Sequence, residues 1–140
     1  MRISATVRNA GTVHRVSVST GGASQDLVIP GKATGRGSAV NGGEFLMLAI
    51  ATCYCNDVFR EAARLAIPVD AVEVEAQADF DGVGLAARNI SYRARVDSTA
   101  AQADILELLR TTDAVAEVHN TIRAGAAVSL LPGVEPGHPR

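Results

Sequence analysis

The stretch Asn41 to Ile67, NGGEFLMLAIATCYCNDVFREAARLAI, decides the fold. It reads as one long helix. The start falls near Gly43 or Glu44, the end near Ala66, and Pro68 stops it. The first half, FLMLAIATCYC, is apolar all round, and a helix of that kind is expected to be covered on every side. The second half, NDVFREAARL, is amphipathic. There Val58, Phe59, Ala62, Ala63 and Leu65 can face a core while Arg60, Glu61 and Arg64 face water.

The chain's two cysteines, Cys53 and Cys55, lie two apart within this helix. Successive helical residues turn by about 100°, so the two thiols leave on nearly opposite faces. They can neither close a disulfide across an intact helix nor chelate one metal together. No CxxC pair or nearby Cys/His set supplies tetrahedral ligands, so no metal site is expected. A buried thiol often only fills space, and Cys55, between Tyr54 and Asn56, fits that role. A reactive Cys53 needs an opening and a positive neighbour to lower its pKa. Arg8, Arg15, Arg36 and Arg60 are candidates, Arg60 two turns further along the same helical face. His14 and His119 are candidate bases, although a lone histidine is more often structural. His138 lies in the tail.

On the N-terminal side, Ile3 to Arg8 and Thr12 to Ser19 alternate apolar and polar residues about NAG, the pattern of a hairpin. TGG precedes a third short strand, Gln25 to Ile29. The Gly-rich segment Pro30 to Gly43 has no periodicity, and a long loop of that kind is either a linker or functional. On the C-terminal side, Val69 to Asp81 and Arg88 to Val96 alternate about DGVG, a second hairpin. Ala100 to Arg110 has helical spacing, with Ser98 or Thr99 as N-cap. A short helix, Asp113 to Asn120, and a strand, Ile122 to Leu130, complete the order β-β-β-α-β-β-α-α-β. Strands and helices are partly segregated, which makes the class α+β. The expectation is one domain over residues 1–130, with a Pro- and Gly-rich flexible tail over 131–140.

A net charge of -2 without a basic stripe argues against nucleic acid as partner. Phe45 to Cys55 is too short to cross a bilayer, and the N-terminus MRISATVRNAG lacks an apolar signal core. No membrane association and a reducing, cytoplasmic setting are expected.

NGGEFLMLAIATC, Asn41 to Cys53, resembles the helix start of the OsmC/Ohr family, the osmotically induced protein C and organic hydroperoxide resistance proteins. That family carries roughly Asn-Pro-Glu-Glu/Gln-Leu, small and apolar residues, then Ala-Ala-Cys, and the spacing matches without a gap. IPVDAVEVEAQADF resembles the strand after that helix, and HNTIRAGAAVSL, His119 to Leu130, the closing segment. The resemblance implies an OsmC-like fold, with two chains intertwined into a homodimer and the central helix buried between them. It implies reduction of organic hydroperoxides by Cys53, held as thiolate by Arg8, the nearest match in the N-terminal hairpin, and by Glu44.

The chain departs from the family pattern at several points. The glutamate position of the hydroperoxide reductases is Gly43, with Glu44 one residue later. The second cysteine falls on Ala116, and His119 takes a serine position. The implied enzyme therefore works through one cysteine, with no cofactor and an external thiol reductant. Cys55, Arg36 and His119 are secondary site candidates. Two other functions fit the same family: a redox sensor without turnover, and a module that binds an apolar small molecule in the dimer-interface pocket.

Overall fold

The computed structural model describes residues 1–133. The element order is β1 (Ile3–Ala10), β2 (Val13–Thr20), β3 (Ala23–Leu27), α1 (Gly42–Arg64), β4 (Ala71–Asp79), β5 (Arg88–Asp97), α2 (Gln102–Val115) and α3 (Glu117–Arg123). Two sheets and three helices give the α+β class that the segregated pattern implies. The chain forms two compact units. The first comprises Met1–Ala51 and Glu75–Arg93, the second Thr52–Val74 and the chain from Ala94 on.

In the first unit, β1, β2 and β3 pair antiparallel in sequence order. The β1–β2 turn has two residues, with Gly11 at φ +58° in the first. The β2–β3 turn is Gly21-Gly22, at φ +55° and +88°, where both residues of a tight hairpin need a left-handed backbone. That turn pairs Ala23 directly with Thr20, so β3 spans Ala23–Leu27 rather than the expected Gln25 to Ile29, and Val28 is left exposed. The Gly-rich segment is shaped. Gly31 bridges Ser38, the Lys32 N–H donates to the Gly37 carbonyl at 2.9 Å, and the Ala39 N–H donates to Pro30 at 3.0 Å.

Helix α1 begins with a reciprocal cap. The Glu44 N–H donates to Asn41 Oδ1 at 2.8 Å, and the Asn41 N–H donates to Glu44 Oε1 at 3.1 Å. It ends in a Schellman motif: Ile67 N–H to the Ala62 carbonyl at 2.9 Å and Ala66 N–H to Ala63 at 3.3 Å. Ala66 sits at φ +56° in the position usually given to glycine, just before Pro68.

Cross-strand partners Gln77–Ser91, Asp79–Asn89 and Glu73–Arg95 run in opposite senses, so β4 and β5 are antiparallel. Burial alternates along β4, as its sequence requires. In the second unit the buried side chains are Tyr54, Asp57, Val58, Glu61 and Ala62 from α1, Leu108 and Thr112 from α2, and Ala116 and His119. The Tyr54 hydroxyl donates to the Leu109 carbonyl at 2.7 Å, fastening α1 to α2.

Further expectations change. No strand forms over 122–130: Ile122 and Arg123 finish α3, Gly125 turns the chain at φ +63°, and Val128 and Leu130 are left 98% and 99% exposed. A strand needs a neighbouring edge, and this segment has none within the described residues. The cap of α2 is Ala101, without a side-chain bond. Ser98 instead accepts from the Ala100 N–H at 3.0 Å and donates to the Pro68 carbonyl. Asp113 belongs to α2, and the extended backbone at Ala116 separates α2 from α3. On α1, Leu48 is 55% exposed, so the chain by itself does not enclose the apolar half. Further along, Phe59 and Ala63 are exposed while Glu61 is buried, its carboxylate held by Arg64 Nε at 2.6 Å.

Among the described residues, no helix is long and apolar enough to cross a membrane. The tail expected over 131–140 falls mostly outside the described residues.

Candidate functional site

Cys53 and Cys55 are both free and both half-buried, and the Cys53 sulfur lies among charged groups. Asp57 lies one helical turn on, where the i,i+4 relation puts it on the same face. The Cys53 thiol donates to Asp57 Oδ2 at 3.7 Å and to Glu117 Oε2, from the first turn of α3, at 3.8 Å. The other oxygen of each carboxylate faces Arg60: Nη1 lies 3.0 Å from Asp57 Oδ1 and 3.7 Å from Glu117 Oε1. Arg60 Nε is also 3.7 Å from Glu61. The guanidinium thus spans both carboxylates on the side away from the sulfur.

This environment sets the protonation of the site. Burial pushes the Cys53 thiol above its ordinary pKa, a backbone hydrogen bond from Val118 opposes the rise, and the Asp57 and Glu117 charges add to it. Burial also raises Asp57, and the Glu117 charge adds to that, against Arg60. Glu117 moves the other way, through a backbone hydrogen bond and then the Arg60 charge. Burial and the Glu117 charge thus favour the protonated form of Asp57, while Glu117 favours the charged form. The ligand atoms of Cys53, Asp57 and Glu117 lie within 4.8 Å of one another. A cation would fit such a donor set, but the positive charge beside it is supplied by Arg60.

Asp57 and Glu117 are the residues that sequence reading missed. The i,i+4 spacing from Cys53 was the available signal for Asp57. Glu117 adjoins Ala116, the position matched to the family's second cysteine, and its carboxylate reaches Cys53. The first turn of α3 therefore reaches the sulfur.

Glu44, Arg8 and Arg36, also expected at the site, belong to the first unit. Glu44 is engaged in the α1 cap. Gly43 is held small by Phe80: a Cβ there would meet the ring at 3.2 Å. Arg8, on β1, lines a cleft of the N-terminal sheet with Thr6, His14, Arg15 and Asp26. Asn9 bonds His14 Nδ1 at 3.0 Å, and Arg36 donates to the Asn9 side chain and carbonyl, each at 3.3 Å. The structure thus gathers Cys53, Asp57, Arg60 and Glu117, and places Glu44, Arg8 and Arg36 in other local networks.

His119 is only 4% exposed, its ring centroid 5.7 Å from that of Tyr54. Burial lowers its pKa, the Arg123 charge adds to this, and Asp113 opposes. The unfolded chain therefore binds the His119 proton more readily. Its neutral ring is accommodated fully above the unfolded value near 6.5, and stability falls as pH drops from there through the lowered folded value. His119→Gln should flatten that part of the stability–pH curve, measured by urea denaturation at a series of pH values.

A groove of about 860 Å³ in the first unit runs along the start of α1 and β4, lined mainly by Met47, Leu48, Ala51, Ala76, Ala78 and Phe80. Leu48 and Phe80 are more than half exposed on it.

A family model described as OsmC-like protein matches residues 35–130. Among solved structures, the OsmC-like protein of Mycoplasma pneumoniae is 16% identical, with 87% of this chain and 86% of that one covered at a TM-score of 0.61. An organic hydroperoxide resistance protein OsmC of Legionella pneumophila is 17% identical, with 88% and 90% covered at a TM-score of 0.57. An organic hydroperoxide resistance protein of Elizabethkingia anophelis, solved with thiocyanate bound, is 14% identical, with 88% and 89% covered at a TM-score of 0.60. No curated protein matches the sequence. The structural likenesses establish a shared fold; the family match, which takes in Cys53, Asp57 and Glu117, shows that the chain belongs to the OsmC family.

Proposed function

We propose that this chain is an OsmC-like, thiol-dependent reductase of organic hydroperoxides, acting in oxidative-stress defence in the reducing cytoplasm, with Cys53 as the attacking sulfur. The observation that carries this reading is the polar surround of Cys53: a half-open thiol with two carboxylates and a guanidinium within one small network. Membership in a family with hydroperoxide resistance proteins among its solved structures supports the substrate class. Attack on the distal peroxide oxygen would leave a sulfenic acid on Cys53. With alanine at 116, its reduction falls to an external thiol.

The test is turnover of an organic hydroperoxide with an added dithiol, alongside titration of the Cys53 thiol. Turnover supports the enzyme. No turnover with a thiol that peroxide still oxidises would replace it with a redox sensor. An inert thiol would leave the apolar groove as the functional feature and make the chain a small-molecule binding protein. The raised thiol pKa is the observation that favours these latter readings.

The working unit in this reading is an intertwined homodimer. The apolar half of α1 and the segment 124–130 both present large aliphatic side chains to water, as at Leu48, Val128 and Leu130. Such surface in a folded protein is normally covered. Sedimentation equilibrium at micromolar concentration should give twice the chain mass of 14.5 kDa. A stable folded monomer at that concentration would rule the dimer out.

A further inference from the structure

On the reading of Cys53 as the attacking sulfur, we propose that Asp57 and Glu117 act as a carboxyl pair that relays the Cys53 proton to the leaving alkoxide. The chemistry requires such a relay. A sulfur lone pair attacks the distal oxygen of ROOH, the S–O bond forms, and the O–O bond breaks with its electron pair on the proximal oxygen. The products are the Cys53 sulfenic acid and RO⁻, which needs one proton to leave as ROH. The thiol must lose one proton. The step balances as RSH + ROOH → RSOH + ROH, so one proton moves from sulfur to oxygen and no other reactant is needed.

The geometry suits that transfer. Each carboxylate divides its two oxygens, one to Arg60 and one to the sulfur. Arg60 therefore fixes both groups without occupying the oxygens that face the reacting atom. The Asp57 side chain is 7% exposed and that of Glu117 69%, so the pair runs from the half-buried sulfur outward to solvent. A carboxylate oxygen of each residue and the sulfur lie within 4.8 Å of one another, so a proton taken by either carboxylate stays close to the other. The charged groups at the Cys53 sulfur are Asp57 on its own helix and Glu117 on α3, and Arg60 pairs with both.

This arrangement has an unusual consequence. The same carboxylates suppress the resting thiolate and are needed once the reaction starts. Two reactions of one thiol separate these effects. Alkylation by iodoacetamide needs a thiolate, but iodide leaves without a proton. Hydroperoxide attack needs both the thiolate and a proton for the leaving oxygen.

The experiment is Glu117→Gln, an exposed isosteric change, with Asp57→Asn as the second variant. Each is assayed across pH for iodoacetamide alkylation and for sulfenic acid formation from cumene hydroperoxide. The expected result is opposite movement at neutral pH. Alkylation accelerates severalfold, and hydroperoxide attack slows at least tenfold, within the range of about 10²–10⁴ for positioned acid–base groups or just below it. Movement of both rates in the same direction, or an unchanged hydroperoxide rate, overturns the relay. If Asp57→Asn does not fold, Glu117→Gln alone decides. A wild-type protein that alkylates but never reacts with hydroperoxide instead sinks the proposed function, and the relay with it.

Discussion

Cys53→Ser is expected to abolish hydroperoxide consumption, and Cys55→Ser to leave most of it. Two thiols separated by one residue are expected to differ completely because α1 turns them apart. Only the Cys53 sulfur reaches Asp57 and Glu117. A serine hydroxyl there can keep those contacts, but it cannot attack a peroxide oxygen, so loss of activity should come with a native fold. Cys55→Ser exchanges a half-buried thiol for a hydroxyl that needs a partner, which costs on the order of 1 kcal/mol in stability. Peroxide treatment followed by mass spectrometry should place sulfenic acid, or a mixed disulfide with added thiol, on Cys53. A Cys53–Cys55 disulfide within one chain as the main product would overturn both the division of roles and the intact helix that dictates it.

Leu108→Ala should cost about 2–5 kcal/mol, a large share of the 5–15 kcal/mol typical of a folded domain. Leu108 is wholly buried on α2, as are Val58 on α1 and Thr112 one turn on. The Thr112 hydroxyl already donates to the Leu108 carbonyl at 2.7 Å, so backbone and side chain at this point are both committed. Deleting the isobutyl group leaves a void that a well-packed surround fills only in part. The melting temperature should fall by roughly 10 °C. Urea denaturation should show a lower midpoint at unchanged slope. Leu108→Met, which conserves volume, should cost less than about 1.5 kcal/mol. The site should feel the same change. Helix α2 is fastened to α1 through Tyr54 and leads into Glu117, so a loosened α2 lets that carboxylate drift from Cys53. A Leu108→Ala protein as stable as wild type would mean that this region repacks freely.

Legibility followed the range of the interactions involved. The first hairpin was readable because alternation and a Gly-containing turn are local signals, realised at Gly11, and the second, about DGVG, because both of its strands alternate. Helix α1 was readable from Gly43 to Pro68 because its start, period and stop are all local as well. The closing strand was misread because AAVSL alternates like a strand, while pairing depends on an edge the segment does not find here. Apolarity at Leu48 was visible, but no sequence pattern says which surface covers it. Burial of Glu61 inverted the expected wet face, because Arg64 and Arg60 neutralise it in place. At the site, Asp57 lay within reach of helix periodicity. Glu117, 64 residues from Cys53, required the turn at Ala116 to bring it round. Glu44 had a local reading, the Asn41-x-x-Glu44 cap, that competes with any role beside an arginine.

The bond from the Tyr54 hydroxyl to the Leu109 carbonyl also makes the protein its own optical probe. The chain has no tryptophan and two tyrosines. Tyr54 lies buried in the second compact unit, and Tyr92 belongs to the first. Ultraviolet emission on unfolding is therefore the sum of one signal from each unit. Tyr54→Phe silences the second reporter and Tyr92→Phe the first, at little cost in volume. Melting curves from the two variants, each corrected for its own stability, would coincide for a single cooperative transition and diverge if the units let go separately. In the second case, the fluorophore beside His119 would report the helices around Cys53 separately from the sheet.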